Sequence, residues 1–269
     1  KHAFLTKCQN CNFVFSRNIP SQKELIAHYE GYGRHGYLSP ITIKRYNEIL
    51  DKFEKFKKTG KILDVGCGVG FFLDEAKKRG WKVYGTEYTN EAINTCKNKG
   101  IHMQEEKLNP KNYNDEEFDV ITSFEVLEHI NNPVEEIKNF HKLLKIGGLV
   151  YLTTLNFNSI SRYYLKSKYN IITYPEHLSY YTPKTLKKLF KSSNFNVYKI
   201  EKTGISITRI KTSIGISEQP LISVKSDDER IRKHVESNRA LKKVKTLISH
   251  GLTIFGKGNS LKGWFVKHY

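Results

Sequence analysis

Several features that define other protein classes are absent from this 269-residue sequence. It has no run of about 18 apolar residues, so we predict no transmembrane helix. It shows no signal-peptide pattern. The first residue is Lys1 rather than methionine, so we expect further residues upstream. Four cysteines are too few for a disulfide scaffold in a chain of this length, and we expect a reduced, cytoplasmic protein.

Acidic residues are scarce in the last third of the chain. The net charge is +18, and residues 184–269 hold 19 basic and 6 acidic residues. Such an excess predicts an anionic partner, which is nucleic acid, a phosphorylated molecule or an anionic membrane surface at the inner face of the membrane. The alternative is that these lysines are simply solvated, since no aromatic-interleaved RNA motif accompanies them.

Short apolar runs alternate with helical patterns between residues 61 and 155. The predicted strands are "KILDV", "KVYGTE", "IHMQE", "FDVITSF" and "LVYLTTL", and the predicted helices cover residues 71–80, 90–100 and 133–148. Strands that alternate with helices of this length require crossover connections. The pattern therefore predicts an α/β fold with a doubly wound, mostly parallel sheet.

The flanking regions show a coarser pattern. Before the sheet we predict a strand in "NFVFS", a helix that begins at Ser21 with a capping box to Glu24, and a helix over residues 42–56. After the sheet we predict a helix capped by Thr182, a strand over residues 196–203 and a terminal strand over residues 260–269. Between these strands a single long helix over residues 227–250 is predicted, with apolar residues at Ile231, Val235, Leu241, Val244 and Ile248.

Three alternate glycines lie between the first strand of the alternating region and its helix, in "DVGCGVGF". Glycines at this position let the backbone approach a ligand closely. The dinucleotide fingerprint would need glycine at position 71, which is Phe71. Asp64 at the strand end would repel a pyrophosphate and orient an amine, and Glu87 after the next strand suits two ribose hydroxyls. The predicted ligand is a cationic ribonucleoside without phosphate, S-adenosylmethionine.

Five successive segments carry a family resemblance: "ILDVGCGVGFFL", "VYGTE", "FDVITSFEVLEHI", "LLKIGGLVYLTT" and "PEHLSYYTPKTLKKLF". They resemble the motifs of class I S-adenosylmethionine-dependent methyltransferases, in the group that contains ubiquinone-type enzymes and bacterial sugar or surface-glycan O-methyltransferases. The resemblance implies a Rossmann-like sheet of seven strands. It also implies an N-terminal helical, Cys-bearing extension over residues 1–58 and a methyltransferase domain over residues 59–269. Residues 156–260 would contribute the acceptor pocket.

The resemblance also implies which residues bind the cofactor. The glycines would line the methionine and ribose, Asp64 the amine, Glu87 the ribose hydroxyls and Tyr88 the adenine. Glu105 or Glu106 would approach the adenine, and residues 123–125 would pass under the methyl donor. The full predicted set is Asp64, Gly66, Cys67, Gly68, Gly70, Glu87, Tyr88, Glu105, Ser123 and Glu125.

The chain after the fourth strand indicates the acceptor. It reads "SFEVLEHI" in place of the "NPPY" element of adenine and glutamine N-methyltransferases, and it has no Pro-Cys pair. We therefore predict O-methylation of a sugar or glycan hydroxyl, on a molecule linked to a nucleotide or lipid phosphate. The alternatives are a ubiquinone-type or natural-product hydroxyl and an RNA ribose 2′-hydroxyl. A cofactor-binding scaffold without turnover and a nicotinamide oxidoreductase are the remaining alternatives.

Two histidines are candidate general bases: His129, just past the fourth strand, and His177, in "PEHLSYYTP". An alternative role is to bind a divalent ion, because Glu125, Glu128, His129 and His177 resemble the metal-binding set of small-RNA 2′-O-methyltransferases. The first three also resemble the metal-binding motif of ubiquinone-type enzymes. The plain interpretation is that Glu128 and His129 only cap and pack a helix.

Two further segments of the N-terminal extension carry predictions. Cys8 and Cys11 form a lone C-x-x-C, which resembles the remnant of a zinc ribbon, although structural zinc normally needs four ligands. Tyr29–Ser39 is a Gly/Tyr-rich loop. We predict either a lid, with Tyr32, Arg34, His35 and Tyr37 contacting a ligand, or a loop packed on the sheet.

Overall fold

The computed structural model describes residues 2–21, 23–25, 28, 38–219, 223 and 225–268. Within them the strands are β1 (Leu5–Lys7), β2 (Val14–Ser16), β3 (Lys61–Val65), β4 (Lys82–Glu87), β5 (His102–Glu105), β6 (Phe118–Phe124), β7 (Leu144–Leu155), β8 (Ser179–Tyr180), β9 (Phe195–Thr203) and β10 (Ser260–Lys267). The α-helices are α1 (Pro40–Phe53), α2 (Phe71–Lys78), α3 (Asn90–Asn98), α4 (Pro133–Leu143), α5 (Ile160–Leu165), α6 (Pro183–Lys191), α7 (Ile207–Ser213), α8 (Asp227–Ser237) and α9 (Arg239–Phe255).

The main sheet has seven strands in the order β5-β4-β3-β6-β7-β10-β9. The first five strands of this order are parallel to one another, and β10 runs antiparallel to both of its neighbours. The predicted α/β, doubly wound and mostly parallel sheet of seven strands is confirmed. The strand order reverses between β3 and β6, and the carboxyl ends of strands at such a switch point are where open α/β sheets bind ligands.

Helices cover both faces of this sheet because its strands alternate apolar side chains between the two faces. One cluster of buried residues joins α4 and α6 to the sheet, through Leu63, Ile121, Ile137, Phe140, Val150, Leu186 and Phe190. The other joins α1 and α2 to it, through Leu50, Phe53, Ile62, Phe72, Leu73, Val120 and Tyr151. The five residues 118–122 and the four residues 149–152 are fully buried, as expected for strands covered on both sides.

The predicted helix starts are borne out by hydrogen bonds. The backbone of Ser21 donates to the carboxylate of Glu24, and Glu24 N donates to Ser21 Oγ, which forms the predicted capping box. Thr182 caps α6, with its side chain accepting from Thr185 N and Pro183 at the first helical position. No helix of the described residues is long and apolar enough to cross a membrane.

The single long helix predicted over residues 227–250 is wrong. The chain forms α8 and α9, separated at Asn238, which has φ −119° and ψ 117°. The Asn238 side chain accepts from Ala240 N and Leu241 N, so it caps the second helix. Asparagine favours this arrangement because its short amide competes with the helical backbone for hydrogen bonds.

The N-terminal hairpin of β1 and β2 joins β8 in a separate three-stranded sheet. Val14 pairs with Tyr180 and Phe15 with Ser179, and Ser16 N donates to the carbonyl of Leu178 at 2.8 Å. The hairpin is thus hydrogen-bonded to a segment 160 residues further along the chain. The domain division at residue 58 stays a prediction.

Asp119 anchors the loop that enters β3. This fully buried carboxylate accepts hydrogen bonds from Lys58 N, Thr59 N and Gly60 N, at 2.8, 2.7 and 2.7 Å. Three backbone donors that would otherwise be unsatisfied therefore converge on one side chain, and the sequence pattern did not reveal this role.

We expect Asp119→Ala to lower the free energy of unfolding by about 3 kcal/mol, because the buried N–H of Gly60 and the part-buried N–H groups of Lys58 and Thr59 lose a charged acceptor. Denaturant unfolding followed by tryptophan fluorescence measures this. The matched control is Asp115→Ala, which removes an exposed carboxylate 3.4 Å from Lys142 and should cost less than about 1 kcal/mol. Equal unfolding midpoints for the two variants would contradict the assignment.

Candidate active site

The glycine turn lies between the carboxyl end of β3 and the start of α2, beside the switch point of the sheet. Gly66, Gly68 and Gly70 have φ angles of 72°, 54° and 78°, a left-handed backbone that residues with a Cβ adopt at a cost. Gly66 N and Cys67 N both donate to the carbonyl of Thr86 in β4. The turn is therefore fastened to the neighbouring strand.

The three glycines differ in what surrounds them. A Cβ at Gly66 would lie 2.6 Å from a Val126 methyl group, and a Cβ at Gly70 would lie 2.6 Å from Ile101. At Gly68 a Cβ would meet nothing within 4 Å. Gly66 and Gly70 are thus also required by packing, whereas Gly68 faces open space that a ligand can enter.

Glu87 closes the turn from the end of β4. Its carboxylate accepts from Gly68 N at 2.9 Å and from Tyr88 N at 2.8 Å. The structure therefore brings together the glycine and the acid that the sequence predicted as neighbours. Thr89 N also donates to this carboxylate, at 3.4 Å. A carboxylate has about four lone-pair positions, so acceptor capacity for a hydroxyl group remains after these three bonds.

Asp64 is buried beside the turn, and a hydrogen bond from Thr122 partly offsets the cost of burying its carboxyl group. Its Oδ1 accepts from the Thr122 hydroxyl at 2.7 Å, across the β3–β6 pair. Burial raises the pKa of Asp64 to about 7, the Thr122 bond opposes this rise, and the charge of Glu87 adds to it. A nearby cationic group would favour the ionised carboxylate.

The other predicted cofactor residues lie along the same edge of the sheet. Ser123 is buried near the end of β6. Glu125 has a φ of 54°, unusual for a residue with a Cβ, and its N donates to Thr153 O. Glu105 pairs with Glu87 in register across β4 and β5, but its carboxylate forms an ion pair with Lys97 at 2.8 Å.

Cys67 is a packing residue of the turn. Its Sγ lies 4.0 Å from Cys96 Sγ and 4.0 Å from Met103 Sδ. A hydrogen bond with Cys96, followed by burial, raises the pKa of the Cys67 thiol above its usual value. A neutral thiol is a poor nucleophile, so this geometry indicates a role in packing.

A second group of polar residues forms just past β6. Ligand atoms of Glu128, His129 and His177 lie within 4.8 Å of one another, and the two imidazole rings are 4.8 Å apart. Within the described residues Glu125 does not join this group, so three of the four predicted metal ligands come together. We call these three residues the carboxylate–histidine cluster.

Hydrogen bonds to backbone carbonyls set the tautomer of both histidines. His129 Nδ1 lies 2.7 Å from Glu176 O, and His177 Nδ1 lies 2.6 Å from Ile171 O. A carbonyl only accepts, so Nδ1 carries the proton and Nε2 carries a lone pair in each neutral ring. Burial, followed by the neighbouring His129, lowers the pKa of His177 to about 4, so this ring is neutral at pH 7.

Three distant segments hold the cluster in place. The 3₁₀ turn Leu127–His129 follows β6, and buried Glu128 accepts from the Thr154 hydroxyl of β7 at 2.8 Å. Leu178 N donates to Glu128 O at 2.8 Å, and the N-terminal hairpin pairs next to Leu178. Thr122 and Thr154, which position the two buried carboxyl groups, were missed because only strand register shows their partners.

The remaining predictions on the N-terminal extension have different outcomes. Hydrogen bonds from the Cys11 backbone and side chain hold the pKa of the Cys8 thiol below its usual value. No third His, Cys, Asp or Glu joins Cys8 and Cys11 in the part of the chain that the structure describes, so the zinc remnant stays a prediction. The candidate lid residues, Tyr32, Arg34, His35 and Tyr37, lie outside the described residues.

Comparison with known families identifies the fold. A family model described as a methyltransferase domain matches residues 37–200, more than half of the chain. The protein belongs to this family, and its seven-stranded sheet is that of the class I S-adenosylmethionine-dependent methyltransferases. The resemblance drawn from the five sequence segments is therefore confirmed.

Curated relatives are similar to only part of the chain. A ubiquinone biosynthesis O-methyltransferase of Haemophilus ducreyi is 34% identical over 151 residues, which is 51% of this chain and 63% of that protein. The protein of the same description from Coxiella burnetii is 36% identical over 107 residues, 36% of this chain and 44% of the relative. The chain thus spans about half the length of the curated relatives it matches.

Solved structures extend the likeness of the fold over most of the chain. An S-adenosylmethionine-dependent methyltransferase of Archaeoglobus fulgidus has a TM-score of 0.55 at 18% identity and covers 83% of this chain and 93% of its own. Phosphoethanolamine N-methyltransferase 2 of Haemonchus contortus, solved with S-adenosyl-L-methionine, has a TM-score of 0.58 at 15% identity. The match covers 95% of this chain and 62% of that protein. At these identities the likeness shows the fold alone.

The pKa of Asp64 predicts how its replacement depends on pH. Because the pKa is raised from 3.8 to about 7, the stabilisation that comes from the protonated side chain is fully present below about pH 4 and is lost as the pH rises through about 7. Asp64→Asn, which stays neutral, should therefore gain stability relative to the wild type across this window. Denaturant unfolding at a series of pH values measures this. Asp115→Asn, at an exposed site, serves as the control, and a pH-independent difference for Asp64→Asn would contradict the raised pKa.

Proposed function

We propose that the protein is an S-adenosylmethionine-dependent O-methyltransferase that acts on a hydroxyl of a sugar, glycan or related small molecule. The observation that carries this proposal is the placement of the glycine turn, Asp64 and Glu87 on the same sheet edge as the carboxylate–histidine cluster. The names of the curated relatives support O-methylation, although the chain matches only part of each.

The cofactor-binding proposal assigns a task to each group of the turn. S-adenosylmethionine supplies an electrophilic methyl group when it is bound. The open side of Gly68 admits the ligand, and Glu87 accepts from the ribose hydroxyls with the acceptor capacity left by its three backbone bonds. Buried Asp64 faces the amine of the cofactor. The positive charge of that amine lowers the raised pKa of Asp64 and keeps its carboxylate ionised.

The acceptor hydroxyl would be deprotonated at the carboxylate–histidine cluster. Each imidazole donates Nδ1–H to a carbonyl and therefore presents Nε2 as a proton acceptor. Methyl transfer from a sulfonium is an in-line displacement, so the base must be fixed relative to the acceptor. His177 is held by Ile171 O and Thr173 on a segment that is itself bonded to Glu128, which supplies this fixed geometry.

A divalent metal ion at the cluster is the second candidate. Glu128, His129 and His177 fit such an ion because a carboxylate oxygen and one ring nitrogen of each histidine lie within 4.8 Å of one another. Each Nδ1 lies within hydrogen-bond distance of a backbone carbonyl, which leaves the lone pair of each neutral ring on Nε2. A bound ion would lower the pKa of the acceptor hydroxyl. The pKa of His177, lowered to about 4, favours this candidate, because an efficient general base has a pKa near the working pH.

Two observations support the proposed class of acceptor: the charge of the last third of the chain and the names of the relatives. The 19 basic and 6 acidic residues of the last third favour an acceptor that carries phosphate, as nucleotide-linked and lipid-linked glycans do. A ubiquinone-type phenol is the acceptor class that the relatives' names suggest. RNA methylation stays a prediction and would show a steep dependence of binding on salt. A cytoplasmic location also stays a prediction.

Cofactor binding is tested by calorimetric titration with S-adenosylhomocysteine and with NAD. The wild type should bind the first and not the second. Glu87→Gln and Asp64→Asn should each weaken binding about tenfold or more, because each removes a charged partner. Glu91→Gln, an exposed acid in the first turn of α3, should bind as the wild type does. No binding of S-adenosylhomocysteine by the folded wild type would overturn the proposal.

The role of the cluster is tested by titrating the protein with Mn²⁺ and by measuring methyl transfer to a panel of sugar, catechol and RNA acceptors. If a metal acts here, Glu128→Gln and His177→Gln abolish Mn²⁺ binding, and a chelator stops turnover. If a histidine alone acts, the chelator has no effect and His177→Gln lowers kcat at least about 100-fold. His141→Gln, outside the cluster, is the control. A fully active His177→Gln would exclude both roles.

A further inference from the structure

Helix α9 turns its apolar side chains away from the protein. None of its 17 residues is buried, although a helix that covers a globular domain ordinarily faces its apolar stripe to the core. Polar contacts hold it instead. Thr253 Oγ1 donates to Lys202 O and accepts from Lys202 N, while Lys242 and Lys245 lie 3.5 and 3.2 Å from the carboxylate of Glu236 in α8.

The outward side of α9 is a continuous apolar stripe. Its exposed members are Val244 (49%), Leu247 (72%), Ile248 (54%), Ile254 (65%) and Phe255 (75%). At 100° per residue these side chains span about 120°, one third of the helix circumference, and Lys243 and Arg239 project beyond the edge of the stripe. Exposed apolar patches of this kind mark surfaces that meet another molecule or a membrane.

The patch continues past the end of the helix into a basic cavity of about 450 Å³. Ile254 and Phe255 line this cavity together with Lys184 and Lys202. Lys257 lies over the ring of half-exposed Tyr163, and both donate to Asn158 at the cavity rim. Apolar and cationic groups therefore alternate along one surface.

The charge of this surface indicates which kind of molecule binds to it. Helix α9 contains four basic residues and no acidic one, in a chain of net charge +18. A second copy of the chain would bring the same positive charges face to face, which is unfavourable. A basic helix with a wide apolar face is instead the arrangement that lies in the plane of an anionic lipid–water interface.

We propose that the outer face of α9 docks on an anionic lipid bilayer, with Leu247, Ile254 and Phe255 inserted among the acyl chains. Lys243, Arg239 and the lysines of the adjoining cavity then lie at the level of the lipid phosphates. This inference does not depend on the proposed methyl transfer. Docking in this orientation places the carboxyl end of β7 next to the membrane surface, because the chain continues from there into the cavity lining and α5.

Vesicle sedimentation tests the proposal with the full chain. The protein should bind vesicles of phosphatidylcholine mixed with phosphatidylglycerol and not vesicles of phosphatidylcholine alone. Leu247→Ser/Phe255→Ser should weaken binding more than about tenfold. Arg239→Glu/Lys243→Glu should weaken it at least about fivefold for each charge removed. The matched controls are Ile19→Ser/Val134→Ser and Lys138→Glu, at exposed positions elsewhere, which should bind as the wild type does.

Sedimentation velocity and S-adenosylhomocysteine titration accompany these measurements. All variants should remain folded and bind that ligand as the wild type does, because the changed side chains are exposed and outside the glycine turn. Equal binding to both vesicle types, no vesicle binding, or unaltered binding by both double variants would overturn the proposal. A wild-type dimer that Leu247→Ser/Phe255→Ser converts to monomers would also overturn it and assign the stripe to a second copy.

Discussion

The parallel register of β3 between β4 and β6 is the constraint on which the candidate site depends. It sets Asp64 beside Gly85 on one side and beside Thr122 on the other. From this register follow the hydrogen bond that the buried carboxyl accepts, the anchoring of the turn on Thr86 and the closure of the turn by Glu87. Helices cover β3 on both faces, and a shift by one residue would move each side chain to the opposite face, so that Leu63 and Val65 would leave one apolar cluster and Ile62 the other.

The other half of the site is assembled from segments that lie far apart in the chain. Glu128 and His129 follow β6, His177 lies before β8, and the N-terminal hairpin pairs with β8. Backbone hydrogen bonds through Leu178 join all three segments. Through these hydrogen bonds the N-terminal hairpin supports the segment that carries His177.

Charge and apolar surface are combined in the last third of the chain in a way that composition does not show. The excess of basic residues indicated an anionic partner of unspecified kind. The fold separates these residues, since Lys242 and Lys245 lie against Glu236 and hold α9 to the protein, while Arg239 and Lys243 remain exposed beside the apolar stripe. The same helix thus uses part of its charge for packing and presents the rest outward.

The sequence alone determined the alternation of strands and helices between residues 61 and 155, the glycine turn, the acid that ends β4 and the family. These features are local patterns of apolar spacing and backbone freedom, which a sequence records directly. Tertiary structure decided the rest. Thr122 finds its carboxyl partner only through strand register, and Thr154 only through the position of the turn that follows β6. Burial, with the added charge of Glu87, raises the pKa of Asp64 to about 7. The split at Asn238 and the outward stripe of α9 depend on which neighbours pack against each helix, and periodicity carries no information about those neighbours.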